Sequence, residues 1–115
     1  MRTIKFRAID EFSDQFIYGQ AFFVDSDNGQ GYLSDGIDRH QLVKKETVGQ
    51  FTGLTDKTGK DIYEGDIVKR IYKYEVAWKN GGFYLRQKNK YHLTITNLGA
   101  DFEIIGNIHE NPELL

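Results

Sequence analysis

Four carboxylates fall within eleven residues near the middle of the chain, at Asp56, Asp61, Glu64 and Asp66. Carboxylates this close in sequence can act as a general acid and base or hold a divalent cation. Lys57 and Lys60 lie among them, however, so turn hydrogen bonds and surface ion pairs explain the group more simply. Asp66 follows Gly65 at the entry to a predicted strand, and its side chain is expected to accept hydrogen bonds from nearby backbone amides. We therefore predict no catalytic residue and no metal ligand here.

The segment 25–31 is rich in Asp, Asn and Gly, as a calcium-binding loop would be. An EF-hand loop needs an oxygen ligand at its fifth position, a glycine at its sixth and a glutamate at its twelfth. Gly29, Gln30 and Gly36 occupy those three positions in this chain. The segment is therefore predicted to be an ordinary turn.

The sequence also lacks the residues that other kinds of catalytic or cofactor site require. The chain has no cysteine, and its three histidines, His40, His92 and His109, are not spaced to share a metal. No serine has a nucleophile-elbow context, and no glycine begins a phosphate-binding loop. We predict a protein that is not an enzyme and that carries no cofactor.

Cations and aromatic residues are concentrated in the segment 69–91. Between Lys69 and Lys90 the chain has seven Lys or Arg residues against Glu75 alone, a net charge of +6, whereas the whole chain has −2 and the remainder therefore −8. Nucleic acids are bound by cations that neutralise phosphates and by aromatic rings that stack on bases. The predicted nucleic-acid-binding residues are Lys69, Lys73, Tyr84, Arg86, Lys88 and Tyr91.

Two other interpretations remain open. Alternating cations also solvate the outer face of a sheet and protect an exposed strand from edge pairing. Alternatively, the chain is an interaction module for another protein, using a sheet edge or the apolar end at Leu114 and Leu115, and the same end could form a symmetric oligomer.

The pattern of apolar residues predicts β-strands throughout. The strand 67–78 is the most regular, with Val68, Tyr72, Tyr74, Val76 and Trp78 on one side, and only Arg70 interrupts that apolar side. Turns are predicted at 56–59 and at 80–82, the second of which would join this strand to its return in a hairpin. The predicted strands are 3–8, 16–24, 41–45, 47–54, 67–78, 83–88, 91–96 and 102–108.

Length and composition predict a single domain over residues 1–115. No segment is apolar for the length of a membrane span, and the N-terminus lacks the apolar core of a signal peptide. A cytoplasmic location is expected.

Three stretches carry a resemblance to a known family: 4–8, 46–69 and 104–115. They resemble the YopX family of small bacteriophage and prophage proteins, although Ile9 stands where that family usually has Trp. The resemblance implies a mostly β fold and a phage origin, and the family has no agreed molecular activity.

Together these observations predict a small all-β domain with little helix. We expect an SH3-like partial barrel formed mainly by the second half of the chain, with additional N-terminal strands packed against it. The predicted function is that of a non-enzymatic phage or prophage accessory protein that contacts nucleic acid through the basic hairpin 69–91. The alternative is a protein-protein interaction or self-assembling module for a host or phage protein, and in either case the resemblance places the protein in the bacterial cytoplasm.

Overall fold

A computed structural model describes residues 4–79, 81–87, 92–94 and 101–115, with the backbone alone for 92–94. Its regular structure is β-strand, with two 3₁₀ turns at Lys45–Thr47 and Pro112–Leu114. None of the described helical elements is long and apolar enough to cross a membrane. The strands are β1 Phe6–Ile9, β2 Phe16–Gly19, β3 Ala21–Val24, β4 Gly31–Ser34, β5 His40–Val43, β6 Gly49–Thr55, β7 Asp61–Tyr63, β8 Asp66–Lys69, β9 Lys73–Lys79, β10 Gly82–Arg86, β11 His92–Thr94 and β12 Glu103–Asn107.

The strands form antiparallel sheets, which confirms the all-β prediction, and the described strands do not close into a barrel. The chain divides into two compact units, the first ending at Phe51 and the second beginning at Thr52. In the first unit, β1 pairs with β2 and with the start of β6, and β3, β4 and β5 form a three-stranded sheet. In the second unit, β11, β10, β9, β8 and β12 form a five-stranded sheet in that order.

The first unit is built on a small core of Ala8, Leu33 and Val43. The alternation of β1 places Phe6 and Ala8 on the apolar side. Arg7 points to the other face of this strand but is also buried, with its guanidinium 4.3 Å from the centre of the Phe16 ring. Stacking on an aromatic face lets an arginine be buried there.

The second unit has the larger core. Its buried members lie on β7, β8, β9 and β10 and at the residue before β12: Ile62, Val68, Tyr74, Val76, Leu85 and Phe102. Tyr74 and Phe102 meet edge to face with ring centres 6.0 Å apart. The predicted apolar side of the 67–78 segment is therefore correct at Val68, Tyr74 and Val76.

Two predicted strands need correction, and two observed strands, β4 and β7, were not predicted. The predicted strand 16–24 is two strands, β2 and β3, which belong to different sheets and are separated at Gln20. The predicted strand 67–78 is also two strands, β8 and β9, which turn back on each other through residues 70–72. β4 was missed, although it is the central strand of its sheet, because its four residues include Gly31 and Ser34 and lie between polar turns.

The predicted turns are better reproduced. Gly59 has a φ of 93°, and its N–H donates to the Asp56 carbonyl at 3.0 Å, as a turn closed by a left-handed glycine requires. Lys79 pairs with Gly82, so a two-residue connection joins β9 to β10, as expected, although Asn80 itself lies outside the described residues. The segment 25–31 is also a turn, in which Asp25 Oδ1 accepts from the Asp27 N–H at 2.7 Å.

The C-terminal segment folds back onto β12, and Gly106 is what permits it. A Cβ at Gly106 would lie 2.7 Å from Asn111 Oδ1 and 2.9 Å from Leu114 Cδ1. Asn111 is held there because its N–H donates to the Asn107 carbonyl at 2.8 Å. We therefore expect Gly106→Ala to lower the free energy of unfolding by about 2 kcal/mol in urea denaturation.

Gly82→Ala is the matched control for that substitution. No atom of the described residues lies within 4 Å of the position that a Cβ at Gly82 would take, and its φ is not left-handed. We expect a change within about 0.5 kcal/mol for this control. Equal effects of the two alanines would show that loss of glycine, and not the close approach of the C-terminal segment, is responsible.

Candidate nucleic-acid interface

The β8–β9 hairpin holds the cations that the sequence singled out. Val68 pairs with Tyr74, and both side chains are buried in the core of the second unit, which fixes the register of the two strands. The next pair along is Lys69 with Lys73, on the opposite face. Directly opposed side chains have Cβ atoms about 5 Å apart, so the two lysine side chains leave the sheet side by side.

The turn between these strands is short and exposed. Residues 70–72 connect the paired lysines, and the Arg70 N–H donates to the Tyr72 carbonyl at 3.3 Å. Ile71 is 71% exposed and Tyr72 61% exposed. We call residues 69–73, with three cations and these two apolar side chains, the cationic tip.

Tyr72 was predicted to lie on the buried side of a continuous strand. That prediction is wrong, because the chain turns at residues 70–72 and the Tyr72 side chain is exposed. One signal of this turn was present in the sequence. Arg70 was the single exception on the apolar side of the predicted strand, and a cation at a core position is costly unless the strand ends there.

Carboxylates lie beside part of the cationic tip. Arg70 lies over the Phe102 ring at 5.4 Å from its centre, and its Nη1 is 3.6 Å from Asp101 Oδ2. Glu103 pairs with Lys69 across the β8–β12 ladder, but it forms its ion pair with Lys57 at 3.7 Å. Among the described residues, Lys69 and Lys73 make no ion pair.

Two further predicted residues, Tyr84 and Arg86, lie on the same face of the sheet but farther along it. Arg86 pairs with Glu75 across β9 and β10, and Arg86 Nη2 is 2.6 Å from Glu75 Oε1. The hydrogen bond to Glu75 raises the pKa of Arg86, and the charge of Glu75 and a hydrogen bond to Tyr84 act in the same direction. Glu75 thus neutralises Arg86 and separates it from the cationic tip.

The remaining two predicted residues, Lys88 and Tyr91, lie outside the described residues. Of the six predicted residues, the structure therefore brings Lys69 and Lys73 together and places Tyr84 and Arg86 on the same face with a carboxylate between. Arg70, Ile71 and Tyr72 join the candidate site from the structure alone.

The four carboxylates that first suggested chemistry are separated into different roles. Asp56 is buried and accepts four hydrogen bonds, from the Thr58 N–H, the Thr58 hydroxyl, the Lys60 N–H and the Ile104 N–H at 2.7–3.0 Å. Asp66 is also buried, and its Oδ2 accepts from the Tyr63 N–H at 2.8 Å, as predicted for a strand entry. Asp61 and Glu64 are more exposed. Within the described residues, no three His, Asp or Glu side chains are grouped as metal ligands.

Comparison with known proteins adds the family. No curated protein matches the sequence significantly. Among solved structures, the fold is similar to the crystal structure of protein EF1440 from Enterococcus faecalis, with a TM-score of 0.58 and 26% sequence identity over 100% of this chain and 99% of that chain. The family model of the YopX protein matches residues 5–115. The chain therefore belongs to the YopX family.

Proposed function

We propose that this chain is a non-enzymatic phage or prophage accessory protein that binds nucleic acid in the bacterial cytoplasm through its cationic tip. The observation that carries the proposal is the direct pairing of Lys69 with Lys73 beside the exposed Tyr72. Like charges in opposed positions of a ladder destabilise a sheet, and within the described part of the chain neither lysine forms an ion pair that would offset this repulsion. A phosphate between the two ammonium groups would relieve their repulsion.

The charge distribution confines the proposed surface to a small area. Arg86 is neutralised by Glu75, and the whole chain has a net charge of −2, so a broad electrostatic attraction to nucleic acid is not expected. Few phosphates would be contacted, and the affinity should be modest and dependent on salt. Tyr84 would contribute at the margin of this surface, next to Arg86.

The test is a binding titration with the double variant Lys69→Gln/Lys73→Gln. Loss of two phosphate contacts should weaken binding of a labelled oligonucleotide about tenfold and should reduce the slope of log K against log salt by about 1.4 on a single strand. Because the variant also removes like-charge repulsion, its stability to urea should be equal to or slightly above that of the parent chain.

Lys60→Gln/Lys79→Gln is the matched control. Both lysines are exposed, belong to the same unit and change the net charge by the same amount, but Lys60 lies in the turn after β6 and Lys79 ends β9 at the opposite end from Lys73. The control pair should keep nearly all the affinity. Equal losses of affinity in the two double variants would show that only the net charge of the protein matters. If the parent chain does not bind the oligonucleotide even at low salt, the proposal is refuted.

A second candidate function is strand addition by a protein partner. β3 is an outer strand of the three-stranded sheet, it carries no charge, and Phe23 and Val24 are 38% and 49% exposed. Outer strands of this kind pair readily with an extended segment of another chain. If the protein self-associates as its concentration rises and Val24→Lys abolishes this, strand addition at β3 is supported. If the protein is a monomer at all concentrations, β3 does not pair with a second copy of itself.

The apolar C-terminus is a weaker candidate than β3 for binding a protein partner. Leu114 and Leu115 are half-buried, and Leu114 packs beside Gly106 on β12. The expected SH3-like partial barrel is retained as a proposal for the second unit, where β8, β9 and β10 are consecutive neighbours in one sheet.

A further inference from the structure

Tyr72 has no packing role in the described structure. Its side chain is 61% exposed, and no described aromatic ring stacks on it. Ile71 beside it is 71% exposed, so two consecutive large apolar side chains stand in water. Single exposed apolar residues are ordinary, but an adjacent pair flanked by cations offers apolar surface and positive charge to a ligand at one place.

The backbone of the tip is held in place before any ligand arrives. Three residues connect two strands whose register is fixed by the buried pair of Val68 and Tyr74. Arg70 is anchored on one side by the Phe102 ring and by Asp101, and its N–H donates to the Tyr72 carbonyl. A residue on so short and anchored a connection loses little conformational freedom when it stacks on a ligand.

An exposed aromatic side chain can stack only on a base whose ring face is accessible, and this distinguishes single-stranded from duplex nucleic acid. In a duplex the faces are covered by neighbouring base pairs, whereas a single strand can turn a base out onto an aromatic side chain. Duplex binding through phosphates alone would leave Ile71 and Tyr72 without a contact and would require more cations than the tip has.

We infer that the cationic tip takes single-stranded rather than duplex nucleic acid, with Tyr72 stacked on an unpaired base and Lys69 and Lys73 contacting the flanking phosphates. This inference rests on the proposed function and specifies its ligand. Ile71 contributes apolar contact to the same base or to its neighbour.

The experiment compares one labelled oligothymidylate of about 16 nucleotides with the same strand annealed to its complement, at one low salt concentration. The parent chain should bind the single strand about tenfold more tightly. Tyr72→Ala should weaken single-strand binding about tenfold or more and leave duplex binding within about twofold. Tyr72→Phe keeps the stacking ring and should retain the affinity.

Tyr18→Ala is the control, since Tyr18 is 57% exposed and belongs to the first unit. It should not change either affinity, and thermal unfolding should confirm that each variant folds. Equal or tighter binding of the duplex, or equal losses on both ligands in Tyr72→Ala, would overturn this inference while leaving the proposed function standing. Failure of the parent chain to bind either ligand would instead refute the proposed function.

Discussion

Replacing Asp56 by alanine is expected to lower the free energy of unfolding by about 3 kcal/mol. Asp56 is 4% exposed, and its carboxylate joins two distant parts of the second unit. One oxygen accepts from the turn after β6, at the backbone of Thr58 and Lys60, and the other accepts from the Ile104 N–H of β12 at 3.0 Å. The variant leaves all these donors without their acceptor.

The same carboxylate should make stability depend on pH. Burial would by itself raise the pKa of Asp56, but the hydrogen bonds from Ile104, Thr58 and Lys60 outweigh it and lower that pKa from 3.8 to about 2. Because the folded pKa lies below the unfolded value, the contribution is complete above the unfolded value and is lost as the pH falls toward 2. A shift of this size corresponds to about 2 kcal/mol.

Urea denaturation from about pH 7 down to pH 2 measures this dependence. Asp56→Asn should be less stable than the parent chain at neutral pH, and its stability should decline less on acidification. Asp38→Asn is the control, because the Asp38 side chain is exposed and should leave the pH profile unchanged. If the profiles of the parent chain and Asp56→Asn are parallel, Asp56 is not the group responsible.

Gly19→Ala is expected to cost about 3 kcal/mol, because backbone blocks the new side chain. A Cβ at Gly19 would lie 2.7 Å from the Ser34 carbonyl oxygen. That carbonyl cannot move away freely, since it accepts from the Gln20 N–H at 2.8 Å at the point where the chain passes from β2 to β3. A methyl group therefore forces the two segments apart.

Equilibrium unfolding of Gly19→Ala beside Gly82→Ala tests this explanation. Both substitutions replace a glycine of negative φ at the end of a strand, but only the Gly19 position is blocked. A destabilisation of Gly19→Ala no larger than that of Gly82→Ala would contradict the blocked-backbone account.

The all-β class and most strands could be predicted because apolar and polar residues alternate within each short segment of the sequence. In β9, Tyr74 and Val76 face the core, as their spacing requires. The turn at Asp56 was predictable for the same reason, since its residues determine the backbone without help from distant parts of the chain. The contact of Asp56 with Ile104 could not be predicted, because the two residues are 48 positions apart.

The breaks within long apolar stretches were harder to see. β2 and β3 follow each other without a turn sequence between them, and they belong to different sheets only because Gly19 pairs with Phe6 whereas Ala21 pairs with Ser34. The candidate site had the same difficulty. Lys69 and Lys73 were identified from their charge, but Tyr72 was assigned to the core because the alternation continues through the turn that exposes it.

The central claim is that nucleic acid binds at the cationic tip, and mapping of backbone amide shifts by NMR tests it most directly. On titration with the single-stranded oligonucleotide, we expect the largest shifts at residues 69–73, with smaller ones at Tyr84 and Arg86, and weaker shifts as salt is added. Shifts concentrated on β3 and β4, or absent throughout at low salt, would contradict the account.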